Sequence, residues 1–234
     1  MTPGTIVLLH SPLLGAAAWG LLPDELALRG VSSVVVNVTD DEAPPYAMTY
    51  VARAAQQISA AGPRPPVVLV GHSGAGPLLA QVGFAQRAAP RAVGGYVFLD
   101  AGLPRAGASR LDLMRTEDGA FATELEKRLA AGERFPNWSD EDLQEALPDP
   151  AARRLVRAEM RARGLGFFTE SLPVPEDWPD APCGYLRTSE AYAAPARSAA
   201  ARGWPCITYD AGHFPALTDA GELANRLLEL TAML

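Results

Sequence analysis

Short apolar runs recur along the first hundred residues, separated by longer stretches of helical length. The runs are TIVLLH at 5–10, VSSVVVNV at 31–38, PVVLV at 66–70 and VGGYVFLD at 93–100, with helices predicted over 19–29, 47–61 and 77–89. Near-continuous apolar strands that alternate with helices predict a parallel sheet covered on both faces. Past residue 103 the rhythm changes. Residues 104–180 hold helical stretches, clearest at 116–131 and 149–163, and no convincing strand. Asp149 reads as the N-cap of the second, with Pro150 in its first turn. The alternation resumes with CGYLR at 183–187, PCITYD at 205–210 and a last helix over 219–230, where Asp219 and Glu222 fit a capping box. The expected fold is α/β, a mostly parallel sheet with helices on both faces built from residues 1–103 and 181–234. Residues 104–180 form a helical cap. Ligands of such sheets bind at the carboxyl ends of the strands, where that insertion would sit as a lid.

Composition narrows the classes of partner. Of the 234 residues 48% are hydrophobic, enough for a real core, and the formal charge of −7 argues against a nucleic-acid or anionic-membrane surface. No apolar run approaches the roughly 18 residues of a membrane span, and no leader is read at the amino terminus, so a cytoplasmic protein is expected. Cys183 and Cys206 are too few for a disulfide scaffold and read as small apolar filler. Arg153, Arg157 and Arg161 recur every four residues. They read either as a solvated lid face or as a surface for an anionic partner, including a phosphopantetheine-bearing carrier protein.

The chemistry concentrates in PVVLVGHSGAG at 66–76. A strand that breaks into a helix at a serine flanked by small residues makes a tight turn. The turn lifts the hydroxyl clear of the sheet and aims backbone N–H groups outward. Ser73 is the candidate nucleophile, with Gly71 and Ala75 supplying the smallness on either side. A dinucleotide-binding reading of the same stretch fails, because its glycine fingerprint needs glycine at 73. A serine hydroxyl needs a base. Of the three histidines, His10 ends the first strand and His72 lies inside the turn. His213 follows the last strand at the sheet end that carries Ser73, and is the candidate base. The carboxylate that orients it is Asp100, at the end of the strand beside that of Ser73, or alternatively Glu190, after the strand at 183–187. Asp210 is a third acid near His213 and reads as part of the last strand.

LLHS at 8–11, GHSGAG at 71–76, VFLDAGLP at 97–104 and DAGHF at 210–214 together resemble the α/β-hydrolase superfamily, in particular its compact methylesterase and hydroxynitrile lyase branch. The resemblance implies a serine hydrolase without cofactor or metal that cleaves a carboxylic ester, lactone or thioester through an acyl-enzyme. Lyase or cyclase chemistry on the same fold, and a non-catalytic ligand receptor, are the alternatives. Ala191 stands where the superfamily usually has its acid, whereas Asp100 matches the alternative acid position used by certain haloalkane dehalogenases. Gly74 would supply one oxyanion donor. The second usual donor falls on Pro12, which has no N–H, leaving the Leu13 N–H or the Ser11 hydroxyl in its place. Large apolar residues in the cap and nearby loops imply a small, largely apolar substrate. They are Leu13, Leu14, Trp19, Phe121, Phe135, Trp138, Phe167, Phe168, Trp178, Tyr192 and Phe214.

Overall fold

A computed structural model describes residues 1–39, 42–88 and 92–234. Six strands form one parallel sheet: β1 (Thr5–Leu9), β2 (Ser33–Val36), β3 (Val67–His72), β4 (Val93–Leu99), β5 (Cys183–Arg187) and β6 (Cys206–Thr208), in the order β2-β1-β3-β4-β5-β6. The helices are α1 (Leu22–Leu28), α2 (Tyr46–Ala61), α3 (Leu79–Ala88), α4 (Arg110–Glu117), α5 (Gly119–Ala130), α6 (Pro150–Ala158), α7 (Leu165–Thr169), α8 (Ala193–Ala201), α9 (Pro215–Thr218) and α10 (Ala220–Ala232).

The unbroken apolar character of the strands follows from burial on both faces. Alternate side chains point to opposite sides of a sheet. Val7, Leu69 and Phe98 therefore pack under α2, α3 and α8, against residues such as Ile58, Val82 and Ala199. Their neighbours Leu8, Val68 and Val97 face Leu22 and Leu26 of α1 and Leu223, Leu227 and Leu230 of α10. Because all strands run in one direction, the loops after β1, β3, β4, β5 and β6 emerge at a single edge.

Several helices differ from expectation for local reasons. The helix expected over 19–29 is a 3-10 turn, Ala16–Trp19, followed by α1. The helix expected from 77 begins as a 3-10 turn at Ser73–Leu78, and its expected last residue, Ala89, lies outside the described residues. The single helix expected over 116–131 is two. Asp118 adopts an extended conformation and its carboxylate accepts the Phe121 N–H at 2.9 Å, so an N-cap interrupts what periodicity alone would continue. The segment upstream is helical from Arg110, started by a Ser109/Asp112 capping box. Asp149 does cap α6, accepting from Ala151 N, but that helix ends at Ala158 rather than near 163. Beyond it Arg161 N donates to Leu13 O and Arg163 bridges to Phe135 instead.

The capping box expected at Asp219 is not formed. Glu222 accepts from Asn225 at 3.0 Å and pairs with Arg226 at 2.8 Å, so its carboxylate is turned along the helix. Short α7, α8 and α9 were not anticipated; α8 (AAPARSAAA) carries too little apolar periodicity to announce itself. Cys183 is buried as expected, whereas Cys206 is exposed and fills no core. The arginines at 153, 157 and 161 do not share one face: Arg153 is buried and bonded to Leu147 O, and Arg161 lies beyond the end of α6.

The two-sided burial makes a direct prediction. Leu227→Ala empties a site with no exposed surface and is expected to cost about 2–5 kcal/mol in urea denaturation. Leu28→Ala, at a position 79% exposed, is expected to change stability by less than about 0.5 kcal/mol.

Candidate active site

Ser73 opens the 3-10 turn after β3 with φ +55, a left-handed conformation uncommon outside glycine. Its neighbours must be small for the turn to close. A Cβ on Gly76 would run into the Gly102 carbonyl oxygen. The turn brings the Ser73 side chain to the wall of a cavity of about 410 Å³, together with Gly74, Pro12, Leu13, Tyr192 and His213.

Asp100, after β4, is also at positive φ, +43, and its carboxylate is fully buried. Its Oδ1 accepts the N–H groups of Thr188 (2.9 Å) and Ser189 (3.0 Å), and its Oδ2 accepts the Ser189 hydroxyl (2.5 Å). His213 Nδ1 also lies 2.8 Å from Oδ2. Burial alone would raise this carboxyl's pKa, but the hydrogen bonds from His213, Ser189 and Thr188 and the nearby imidazole outweigh it, holding the group below its ordinary range. Asp100 is therefore ionised at neutral pH, and as a pure acceptor it places the proton of His213 on Nδ1. The structure thus brings Asp100 and His213 together. Glu190 is elsewhere, 86% exposed and 2.5 Å from Arg187 in a solvent-facing ion pair. Asp210 is exposed and lies outside β6, which ends at Thr208.

The two other histidines serve the frame. His10 Nε2 accepts the Val38 N–H and its Nδ1 faces Ser11 O at 2.8 Å, fixing the loop that carries Ser11 and Pro12. His72 donates from Nε2 to the carbonyl of His213 at 2.8 Å, with the rings 4.6 Å apart. Burial, reinforced by the neighbouring His213, pushes the His72 pKa down to about 3, so it stays neutral. Ser11 Oγ accepts the Leu13 N–H at 3.3 Å and lies 2.9 Å from where a Gly74 Cβ would stand. The Ser11 hydroxyl thus borders the backbone of Gly74, while the Leu13 N–H is already engaged.

Two groups were not anticipated in polar roles. Tyr192 was expected only as an apolar wall. Its ring stacks on His213 (5.1 Å, 7° between planes) and its hydroxyl is 3.1 Å from Ser73 Oγ. Glu117, at the end of α4, also lines the cavity. A tyrosine two residues past Glu190, in the loop after β5, was the available signal for the first. Nothing in the sequence marked Glu117, because its position depends on the helix break at Asp118. Of the expected apolar lining, Leu13, Phe121, Phe135, Trp138, Phe167 and Phe168 face the cavity. Trp19, Leu14, Phe214 and Trp178 pack in cores instead. Among the described residues no group of three or more His, Cys, Asp or Glu side chains is placed to hold a metal ion, and no helix is long and apolar enough to cross a membrane.

A family model described as the alpha/beta hydrolase family matches residues 6–226. No curated protein sequence matches the chain. Among solved structures, an extracellular alpha/beta-hydrolase from a Paenibacillus species is similar at a TM-score of 0.78 and 17% identity, covering 97% of this chain and 99% of that one. That hydrolase is described as sharing structural and functional homology with tobacco salicylic acid binding protein 2. Polyneuridine aldehyde esterase is similar at 0.67 and 18%, covering 98% and 99% of the two chains. Tomato methylketone synthase I with bound 2-tridecanone is similar at 0.70 and 12%, covering 100% and 99%. At these identities the structures share the fold.

Neutral His72 sets a pH dependence of stability. A base whose pKa is depressed on folding leaves the unfolded chain free to take up a proton first. The stability it contributes is present above the unfolded value of about 6.5 and is lost as pH falls from there toward about 3. In urea titrations from pH 7 to 4, His72→Gln is expected to remove about one proton's worth of that slope, ~1.4 kcal/mol per pH unit.

Proposed function

The chain belongs to the alpha/beta hydrolase family, and on that premise we propose that it is a serine hydrolase of small, largely apolar esters, lactones or thioesters. The observation that carries this reading is the 2.8 Å contact of His213 Nδ1 with a fully buried carboxylate, beside a serine held at positive φ on the same cavity. Asp100 holds the imidazole with Nδ1 protonated, which leaves Nε2 as the basic nitrogen. The Ser73 hydroxyl is hydrogen-bonded to the Tyr192 hydroxyl. Substrate entry turns it toward His213. Ser73 Oγ then attacks the carbonyl carbon as its proton passes to Nε2. The tetrahedral oxyanion collapses, expelling the alcohol or thiol, which takes that proton. Water, deprotonated by the same nitrogen, releases the acid from the acyl-enzyme.

The oxyanion is met by the Gly74 N–H and by the Ser11 hydroxyl. Pro12 has no N–H to give, and the Leu13 N–H is spent on Ser11 Oγ, which makes the Ser11 O–H a better donor. Helices α4, α5 and α7 supply Leu113, Phe121 and Phe167 to the cavity wall, so the 104–180 segment serves as the lid that keeps water from the acyl-enzyme. A cavity of about 410 Å³ suits a substrate of modest size.

The test is hydrolysis of p-nitrophenyl esters from acetate to octanoate. Ser73→Ala is expected to abolish turnover. Asp100→Asn should lower kcat by about 10⁴ through the wrong histidine tautomer, whereas Glu190→Gln leaves it unchanged. Ser11→Ala is expected to cost about 10²–10³ in kcat with little change in KM. A wild-type protein inert toward every ester would sink the hydrolase reading. Because Pro12 weakens the usual oxyanion site, proton-transfer chemistry of the lyase or cyclase type would then take its place.

A further inference from the structure

Among the described residues, Glu117 is the one acid on the cavity wall that the reaction does not use and that no neighbour claims. Its neighbour Asp118, also on that wall, is engaged in capping α5 through the Phe121 N–H. The Glu117 carboxyl lies beside the loop after β4, with Oε1 3.3 Å from where a Cβ on Gly102 would stand, so the glycine leaves it room. It forms part of the wall of the cavity that holds Ser73 and of a second cavity of about 180 Å³. Among the described residues no hydrogen bond or ion pair reaches this carboxyl. The charged groups nearby are committed elsewhere or turned to solvent. Arg110 donates to Phe167 O, lies 3.6 Å from Glu170 and stacks on the Phe167 ring. Arg202, on the second cavity, lies over Trp204, and Arg105 there is exposed. From β5 and the turn after it, Tyr185 and Tyr192 face the acid. Burial raises both phenols above their ordinary range, and the nearby Glu117 charge adds to it, so they stay neutral. His213 lies on the same cavity wall, with Asp100 hydrogen-bonded to it.

A carboxyl so placed has no protein partner among the described residues and can meet a donor on a ligand in the cavity. Either protonation form accepts hydrogen bonds, but only one can donate, so a ligand that donates is satisfied in both. We propose that Glu117 is the specificity-determining group of this cavity, binding a hydroxyl or an amine on a substrate whose remaining body is apolar. The apolar part lies against the Phe121, Phe135 and Trp138 walls. A protonated amine gains most, since its charge meets the carboxylate among largely apolar walls. This deepens the hydrolase reading and rests on it for the word substrate; the binding itself does not. Burial moves the acid's pKa up to about 7, so the preference for a cation is switched on near neutral pH.

The experiment uses the Ser73→Ala protein, in which no turnover complicates binding. Calorimetry measures 4-phenylbutylamine, 4-phenylbutanol and 4-phenylbutyl methyl ether at pH 6 and 8.5, each with and without Glu117→Gln. The amine, protonated at both pH values, is expected to bind about tenfold more tightly at the higher pH, the equivalent of one pKa unit. The ether should show no such rise, and Glu117→Gln should abolish it. Amine binding that is indifferent to pH, or a rise that survives Glu117→Gln, overturns the proposal. Thermal melts of the same proteins confirm folding and give a second readout. An acid whose pKa is raised on folding contributes stability below its unfolded value and loses it as pH rises through about 7. Glu117→Gln is therefore expected to melt higher than its parent at pH 8.5; equal melting at that pH would place the carboxyl in solvent and remove the basis of the proposal. If esters are not hydrolysed but the amine signature is present, the hydrolase reading fails and the binding site stands.

Discussion

A carboxylate with no exposed surface must be solvated by the protein itself, and for Asp100 four hydrogen bonds do this. Two come from backbone N–H groups at 188 and 189, one from the Ser189 hydroxyl and one from His213. Removing water from a charge is costly unless each lone pair finds a donor. That requirement ties together the loops after β4, β5 and β6. Ala211 and Gly212 donate to Thr188 O, and Tyr185 exchanges hydrogen bonds with both backbone groups of Ala101, so the donors are themselves held. His213 is then secured from the other side by His72, which adjoins Ser73 in the chain. The relative placement of Ser73, His213 and Asp100 thus follows from satisfying one buried charge.

The rest of the cavity follows a different economy. Its walls are aromatic, and polar groups are admitted only where they have a partner or a task. Ser11 pairs with Leu13 N–H beside the Gly74 backbone, and Tyr192 pairs with Ser73. Among the described residues no hydrogen bond or ion pair reaches Glu117. A carboxyl in apolar surroundings, at the carbonyl end of a helix, is disfavoured as an anion both by desolvation and by the helix dipole. Such a group is retained at a cost to stability above its pKa.

The sheet was legible because parallel strands buried on both faces leave an unbroken apolar signature, and the serine turn because its steric demands are written in adjacent small residues. The positions of Ser73 and His213 at one sheet edge could be read from such local signals. The choice between Asp100 and Glu190 could not. Both follow strands at the same sheet edge, and only the fold shows one sealed beneath Ser189 and the other paired with Arg187 in solvent. The same holds for Trp19, Trp178 and Phe214, whose bulk suggested a pocket but which close the core.

What the sequence by itself determined was fold class and placement: an α/β sheet, a serine lifted on a turn and a histidine at the matching strand end. These depend on periodicity and on steric limits between near neighbours, which one chain segment carries alone. What only the tertiary structure decided was which carboxylate is buried and where Ser11 and Leu13 direct their hydrogen bonds. It also decided that Glu117 turns inward, because a cap at Asp118 breaks the helix after it. Burial and pairing are properties of the space between segments, and residues distant in sequence have to meet before either exists.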